Sequence, residues 1–329
     1  MDGISDLRAI CSAPGKVILF GEHAVVYGHP AIAAVTDQRT FVEVDRCGTK
    51  VTVNGFRIHE RYHSYLLKAV DLVWKQEDAV RLQTEGGVPS ASGTGSSSAL
   101  TVAAVGALHR LQQMDDVAAL AQDAFRVERT TQGGGSPTDT TTSVAGGGIA
   151  IAGTPPKIGE ALWDLSWEEA QWFVERVDLP ELTLVVGNSG VKGRTDEQVA
   201  KVGHAMKKNP IVRDTLKEIG QISRDAVPAL ESADWEAIGR FMNQAHGCMH
   251  TIGVNHDAVQ KLVDAVRVVP GTYGAKITGA GGGGSMIALT DKPARAARAI
   301  EEAGGTPYPV KLGGPGVQWH DEMPPHTPE

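Results

Sequence analysis

The sequence predicts a two-lobed α/β or α+β protein, and three observations carry that expectation. The chain has 329 residues, 41% of them hydrophobic, enough for more than one small core. Short β-branched runs alternate with segments of helical periodicity through both halves. The pattern changes between about residues 152 and 180, which we take to divide a first domain, 1–165, from a second, 166–329.

The elements read in order as follows. "KVILF", "TFVEVD" and "KVTVNG", within residues 9–56, are bounded by Gly, Pro and Asp and predict strands. "YHSYLLKAVDLVWKQ" has apolar residues at helical spacing. A stretch rich in glycine and serine, "VPSASGTGSSSAL", runs into predicted helices at 99–113 and 116–130. "TQGGGSPTDTT" then predicts a loop and "GGGIAIAG" a strand. In the second half, "ELTLVVG" reads as a strand, and helices are expected at 196–207, 212–225, 235–245 and 255–268. "GAKITGAGGGGSMIALT" places a glycine run before a strand. "KPARAARAIEEAGG" predicts a last helix and "PYPVKL" a last strand. The tail, "PGVQWHDEMPPHTPE", predicts a poorly ordered extension.

Composition narrows the function. A formal net charge of -8 argues against a broad nucleic-acid surface, so any anion site must be a focused pocket. Cys11, Cys47 and Cys248 form no CxxC pair, which indicates neither a disulfide framework nor a zinc ribbon and suits a reducing cytoplasm. "MDGISDLRAI" lacks the apolar core of a signal peptide, and no apolar run approaches transmembrane length.

Four motifs carry candidate chemistry. In "GTGSSS", Gly93 to Ser98, free N–H groups at a helix start would cradle phosphate oxygens, although serines capping a surface helix read the same way. No Lys follows the glycines, so this is not a Walker A loop. Gly279, Gly281 and Gly284 formally spell G-x-G-x-x-G, but the run leads into a strand rather than a helix, which excludes a Rossmann turn. It leaves close packing against a ligand, or a plain hairpin turn. In "VERTTQGGGSPTDTT", Glu128 lies near a helix end, where the dipole disfavours a carboxylate unless a cation compensates. Asp139, two residues after Pro137, either reaches into a cleft from a loop or merely forms a turn. In "SAPGKVILFGEHAVVYG", Lys16 is either a snorkelling surface residue or the partner of a carboxylate in a cleft, with Glu22 and His23 close by in sequence. "HGCMH" lacks the glutamate of a zinc-protease helix, and we do not read it as a metal site.

Taken in this order, the motifs resemble the GHMP kinases, most closely the short archaeal branch that phosphorylates mevalonate. "APGKVILFGEHAVVYG", "PSASGTGSSSA", "ERTTQGGGSPTD" and "KITGAGGGGS" correspond to that family's N-terminal signature, phosphate loop, catalytic-aspartate segment and C-terminal glycine motif. They span residues 12–289. Two departures are visible: Thr94 stands where the family usually has Leu, and "GGGSPTD" replaces "SGVD".

The resemblance implies a two-lobed α+β fold, with an N-terminal α/β lobe containing a left-handed βαβ unit and a ferredoxin-like C-terminal lobe. It implies ATP and Mg²⁺ as cofactors, mevalonate as substrate, no nucleic-acid or membrane partner, and a homodimer. Asp139 becomes the catalytic base and Lys16 its charged partner, while Ser97 and Glu128 become Mg²⁺ ligands. Pro89, Ser90, Ala91, Ser92, Gly93, Thr94, Gly95, Ser96, Ser97 and Ser98 would hold the nucleotide. Glu22 and His23, with Thr278, Gly279, Ala280 and Gly281, would face the substrate, and Lys192, Arg194 and Thr195 would border its carboxylate. The alternatives are a family member acting on phosphomevalonate, a sugar or homoserine, and a nucleotide-binding regulator without catalysis.

Overall fold

The structure is a computed structural model that describes residues 7–47, 50–88 and 93–325. The phosphate-loop residues Pro89, Ser90, Ala91 and Ser92 lie outside the described residues.

The first lobe is organised by two long antiparallel strands, β1 (Arg8–Phe20) and β2 (Ala31–Arg46). The far end of β2 pairs with β5 (Val80–Gly86), beside the short hairpin β3 (Thr52–Val53) and β4 (Phe56–Arg57). Its near end pairs with β6 (Gly148–Ala152), which pairs in turn with the hairpin β7 (Glu160–Trp167) and β8 (Ala170–Val177). Helices α1 (Ser64–Val73), α2 (Ser96–Leu111), α3 (Val117–Gln132) and α4 (Thr138–Ala145) complete this lobe. β1 reads as a continuous buried run rather than an alternating one because both its faces are covered. Ala9, Cys11 and Ala13 enter the first-lobe core, whereas Val17, Leu19 and Phe20 enter a core shared with the second lobe.

The second lobe contains β9 (Leu182–Asn188), α5 (Thr195–Lys208), α6 (Pro210–Glu231), α7 (Trp235–Thr251), α8 (Asp257–Arg267), β10 (Thr272–Thr278), β11 (Ser285–Thr290), α9 (Pro293–Glu302) and β12 (Thr306–Leu312). Its strands run in the order β10-β11-β9-β12, all antiparallel. Numbered within the lobe, that order gives the sheet of a ferredoxin-like lobe, as expected. Among the described residues, β12 pairs with β2 at Leu312 and Thr36, which joins the strands of the two lobes into one continuous sheet.

The expected boundary at 165/166 falls within β7, whose hairpin partner β8 pairs with β6. Two expectations need correction. The segment expected as a loop around Asp139 becomes helical at Thr138. The tail is partly built: β13 (Gln318–His320) pairs with β1, and Trp319 Nε1 donates to the Gly106 carbonyl at 3.0 Å. Arg39 fastens the same tail through the carbonyls of Pro315 and Gly316, satisfying backbone acceptors that a bare tail would leave to solvent. Among the described residues, no helix is long and apolar enough to cross a membrane.

Candidate active site

A cavity of about 650 Å³ lies where the lobes meet. The bulged part of β1, the first turn of α2, the end of α3, the start of α4, the segment before α5 and the β10–β11 hairpin all contribute to its wall.

Lys16 reaches this wall because β1 is irregular: its register against β2 shifts between Pro14 and Lys16, and the Lys16 amide bonds to the Thr94 carbonyl at 2.8 Å instead. The lysine stem then lies over Gly95. A Cβ on Gly95 would sit 2.9 Å from both Cγ and Cε of Lys16, and the residue's φ of 78° suits glycine. Lys16 is almost fully buried, and its Nζ ends 2.9 Å from Asp139 Oδ2. Asp139 occupies the first turn of α4, where the helix dipole favours a carboxylate. The two residues singled out as base and partner are therefore in contact.

Gly95 also caps α2, and among the described residues no side chain caps that helix start. Among those residues the first-turn N–H groups are open to whatever enters the cavity, which Ser96 and Ser97 line directly. Ser96, Ser97 and Ser98 are not caps. Ser98 is fully buried and donates to Glu128 Oε1 at 2.8 Å, a role that sequence reasoning missed by attending to Ser97. Thr94 is buried as well, its carbonyl engaged with Lys16.

Glu128, in the wall near the end of α3, has its pKa pushed up to about 8, first by burial and then by Asp139; the Ser98 hydrogen bond and Lys16 oppose the shift. A carboxylate so placed is destabilised by its own charge and suited to a cation. With the Ser97 hydroxyl in the same wall, the donors are all oxygen, the kind of set that Mg²⁺ takes when phosphates supply further ligands. The donor set thus fits the metal.

The turn after β1 brings Glu22 and His23 into the cavity wall, both buried. His23 has a φ of 60°, unusual for a residue with a side chain, and its Nε2 lies 2.8 Å from the Ala280 carbonyl. Burial pushes its pKa below the ordinary imidazole value. Glu22 pairs with Lys276 of β10, a fully buried lysine that the sequence reading did not single out. Its signal was present: one charge in the middle of the apolar strand "YGAKIT".

The glycine run is both a hairpin connection, from β10 to β11, and cavity wall at Gly279, Ala280 and Gly281. At Gly281, with φ 79°, a Cβ would fall 2.2 Å from the Val254 carbonyl oxygen, so the loop's close seating on its neighbours requires glycine. Thr278 lines the cavity and donates to the Ile18 carbonyl at 3.0 Å.

Arg194 departs from expectation. It is absent from the wall, and its guanidinium pairs with Asp196 at 2.7 Å and Glu197 at 2.8 Å on the exposed first turn of α5. Lys192 and Thr195 do line the cavity, and Lys192 has no ion pair among the described residues. Sequence reasoning also missed Tyr65, whose hydroxyl accepts from Gln132 Nε2 at 3.1 Å, and Arg129, which donates to the Gly135 carbonyl. His246 of "HGCMH" is buried behind β10, where it accepts from the Ile277 amide at 3.2 Å and faces Gln260 at 3.0 Å.

Known proteins resemble this chain in sequence and in fold. A mevalonate kinase of Thermococcus onnurineus is 34% identical, over 97% of this chain and 100% of its own length. Among solved structures, L. major mevalonate kinase in complex with R-mevalonate superposes with a TM-score of 0.74 at 24% identity, covering 92% of this chain and 94% of the other. Lactococcus lactis galactokinase complexed with galactose reaches the same TM-score, 0.74, at 18% identity and 96% coverage of each chain, so likeness of backbone at this level speaks to fold and not to substrate. The model described as GHMP kinases N terminal domain matches residues 64–147, and the one described as GHMP kinases C terminal matches residues 226–309. Since the two matches fall in order, one on each lobe, and together cover more than half of the sequence, the chain belongs to the GHMP kinase family.

Proposed function

We propose that this chain is a mevalonate kinase, which transfers the γ-phosphoryl group of ATP to the 5-hydroxyl of (R)-mevalonate. The observation that carries the reading is the Lys16–Asp139 pair at 2.9 Å, in one cavity with the uncapped start of α2. The names of curated relatives at 34% identity support mevalonate as the alcohol.

Phosphoryl transfer asks the protein for positioning and electrostatic stabilisation rather than for a covalent step. In this reading the N–H groups from Gly93 to Ser98 hold the nucleotide phosphates. Asp139 accepts the proton of the attacking hydroxyl. Lys16 orients that carboxylate and offsets charge on the group in flight. Ser97 and Glu128 hold Mg²⁺, which when bound neutralises phosphate charge. Ser98 fixes the Glu128 carboxylate from behind. Glu22, His23 and the Thr278 to Gly281 segment face the alcohol, and Lys192, in place of Arg194, takes the substrate carboxylate. We place the enzyme in the cytoplasm as a homodimer, a state that sedimentation equilibrium tests.

Coupled ADP release with mevalonate, phosphomevalonate, galactose and homoserine tests the reading. Turnover with mevalonate at least about tenfold above every other alcohol is expected. Preference for any other member of the panel would overturn it.

A further inference from the structure

Lys276 has no exposed surface, yet it lies in the middle of β10 and carries a charge that burial makes costly. Its ammonium contacts Oε1 of Glu22 and donates to the Ile277 carbonyl at 2.7 Å. Burial pulls its pKa down, and Glu22 opposes that shift. A buried ion pair seldom adds net stability compared with an apolar pair of similar volume, so its presence asks for another role.

The surroundings supply one. Glu22 and His23 are consecutive, and both are held from the other lobe, Glu22 by Lys276 and His23 by the Ala280 carbonyl at 2.8 Å. Between these two anchors, Thr278 bonds to the Ile18 carbonyl at 3.0 Å, just ahead of the turn. His23 needs such bracing because its left-handed backbone, φ 60°, is unfavourable for a residue with a side chain. A carbonyl oxygen only accepts, so Nε2 carries the ring proton and Nδ1 is a bare acceptor. Nδ1 makes no hydrogen bond among the described residues and is not one of the buried orphan atoms, while the residue itself lines the cavity.

We propose that Lys276 is a positioning residue: through Glu22 it holds the His23 turn so that Nδ1 faces the cavity as acceptor for the non-reacting hydroxyl of the substrate. This rests on the mevalonate reading above. An acceptor cannot serve the ionised carboxylate of mevalonate, and the 5-hydroxyl belongs to Asp139. The 3-hydroxyl is the remaining donor.

The test compares kcat/KM for mevalonate with that for 5-hydroxy-3-methylpentanoate, which lacks only the 3-hydroxyl, in wild type, His23→Ala, Lys276→Met and the double variant Lys276→Met/Glu22→Gln. The double variant leaves no buried charge unpaired, so it serves if Lys276→Met does not fold. Wild type should prefer mevalonate by about 100-fold or more, since a site built around a hydroxyl rejects its absence. His23→Ala and both Lys276 variants should each bring that preference to within about tenfold, with KM for ATP changed less than about twofold. A purely structural Lys276 would lower kcat/KM for both alcohols alike and keep the preference, which would overturn the proposal. Equal use of both alcohols by wild type would overturn it too. Failure of wild type to phosphorylate mevalonate at all would overturn the parent reading, and the inference with it.

Discussion

Replacing Glu128 by glutamine should stabilise the ligand-free protein, and by an amount that grows with pH. Glu128 titrates near 8 in the folded chain against an ordinary value of 4.5, so the folded state keeps a proton that the unfolded state has already lost across that window. Stability therefore falls as pH rises from about 4.5 to about 8, and the cost is complete above 8. At about 1.4 kcal/mol per pH unit, the shift corresponds to roughly 5 kcal/mol above the window, roughly 3 kcal/mol at neutral pH, and little at about pH 5. The glutamine carries no charge to desolvate and still has an oxygen to accept from Ser98, so the variant avoids this cost. Urea unfolding of both proteins, without nucleotide or Mg²⁺, at about pH 5, 7 and 9 reads the difference directly. The two should nearly coincide at the lowest pH and diverge by several kcal/mol at the highest, with the Glu128→Gln protein the more stable. A gap that stays constant within about 1 kcal/mol over that range would refute the assignment of a strained, charge-averse Glu128. The same variant should lose Mg²⁺-dependent nucleotide binding, since the strain is what a cation relieves.

Asp139→Asn should lower kcat by about 100-fold or more while ATP binding, measured by calorimetry, changes little, because the shape survives and the base does not. Gly95→Ala forces a left-handed backbone costing about 1–2 kcal/mol and pushes the Lys16 stem off its seat; thermal melts should show the first effect, and a kcat loss of about tenfold or more the second. Lys192→Met should raise KM for mevalonate by about tenfold, whereas Arg194→Met should change it less than about threefold, as steady-state kinetics would show.

How much of this was legible in the sequence depends on the scale at which each signal is written. The Lys16–Asp139 pair was legible because each residue sits in a short motif whose local irregularity, a strand bulge or a helix start, is encoded by neighbouring glycines and proline. The helix carrying Asp139 was not. "TDTTTSVA" has weak intrinsic helix propensity, and its helix exists because Thr140, Thr141, Thr142 and Ser143 are fully buried against the rest of the lobe. The hairpin of β7 and β8 was overlooked for a related reason: "EALWDLSWEEAQWFVERV" carries exposed acidic and amide positions that blur its period.

Ser98 and Lys276 illustrate the harder limit. Nothing local distinguishes Ser98 from Ser97; adjacent positions on a helix point about 100° apart, and only the place of α3 beside α2 decides which hydroxyl meets Glu128 and which meets the cavity. Lys276 is separated from Glu22 by most of the chain, and the pairing follows from β10 and the end of β1 meeting at the seam between lobes. In the proposed reading, that seam separates two kinds of signal. The end of the cavity assigned to phosphate is built from backbone geometry within the first lobe, whose glycines are visible as letters. At the end assigned to the alcohol, side chains such as Glu22 and His23 are set by contacts between lobes, and these arise only once both lobes have folded and docked. The proposed choice of Lys192 over Arg194 for the substrate carboxylate follows the same logic, since Arg194 pairs with its own acidic neighbours on the first turn of α5 while Lys192 lines the cavity.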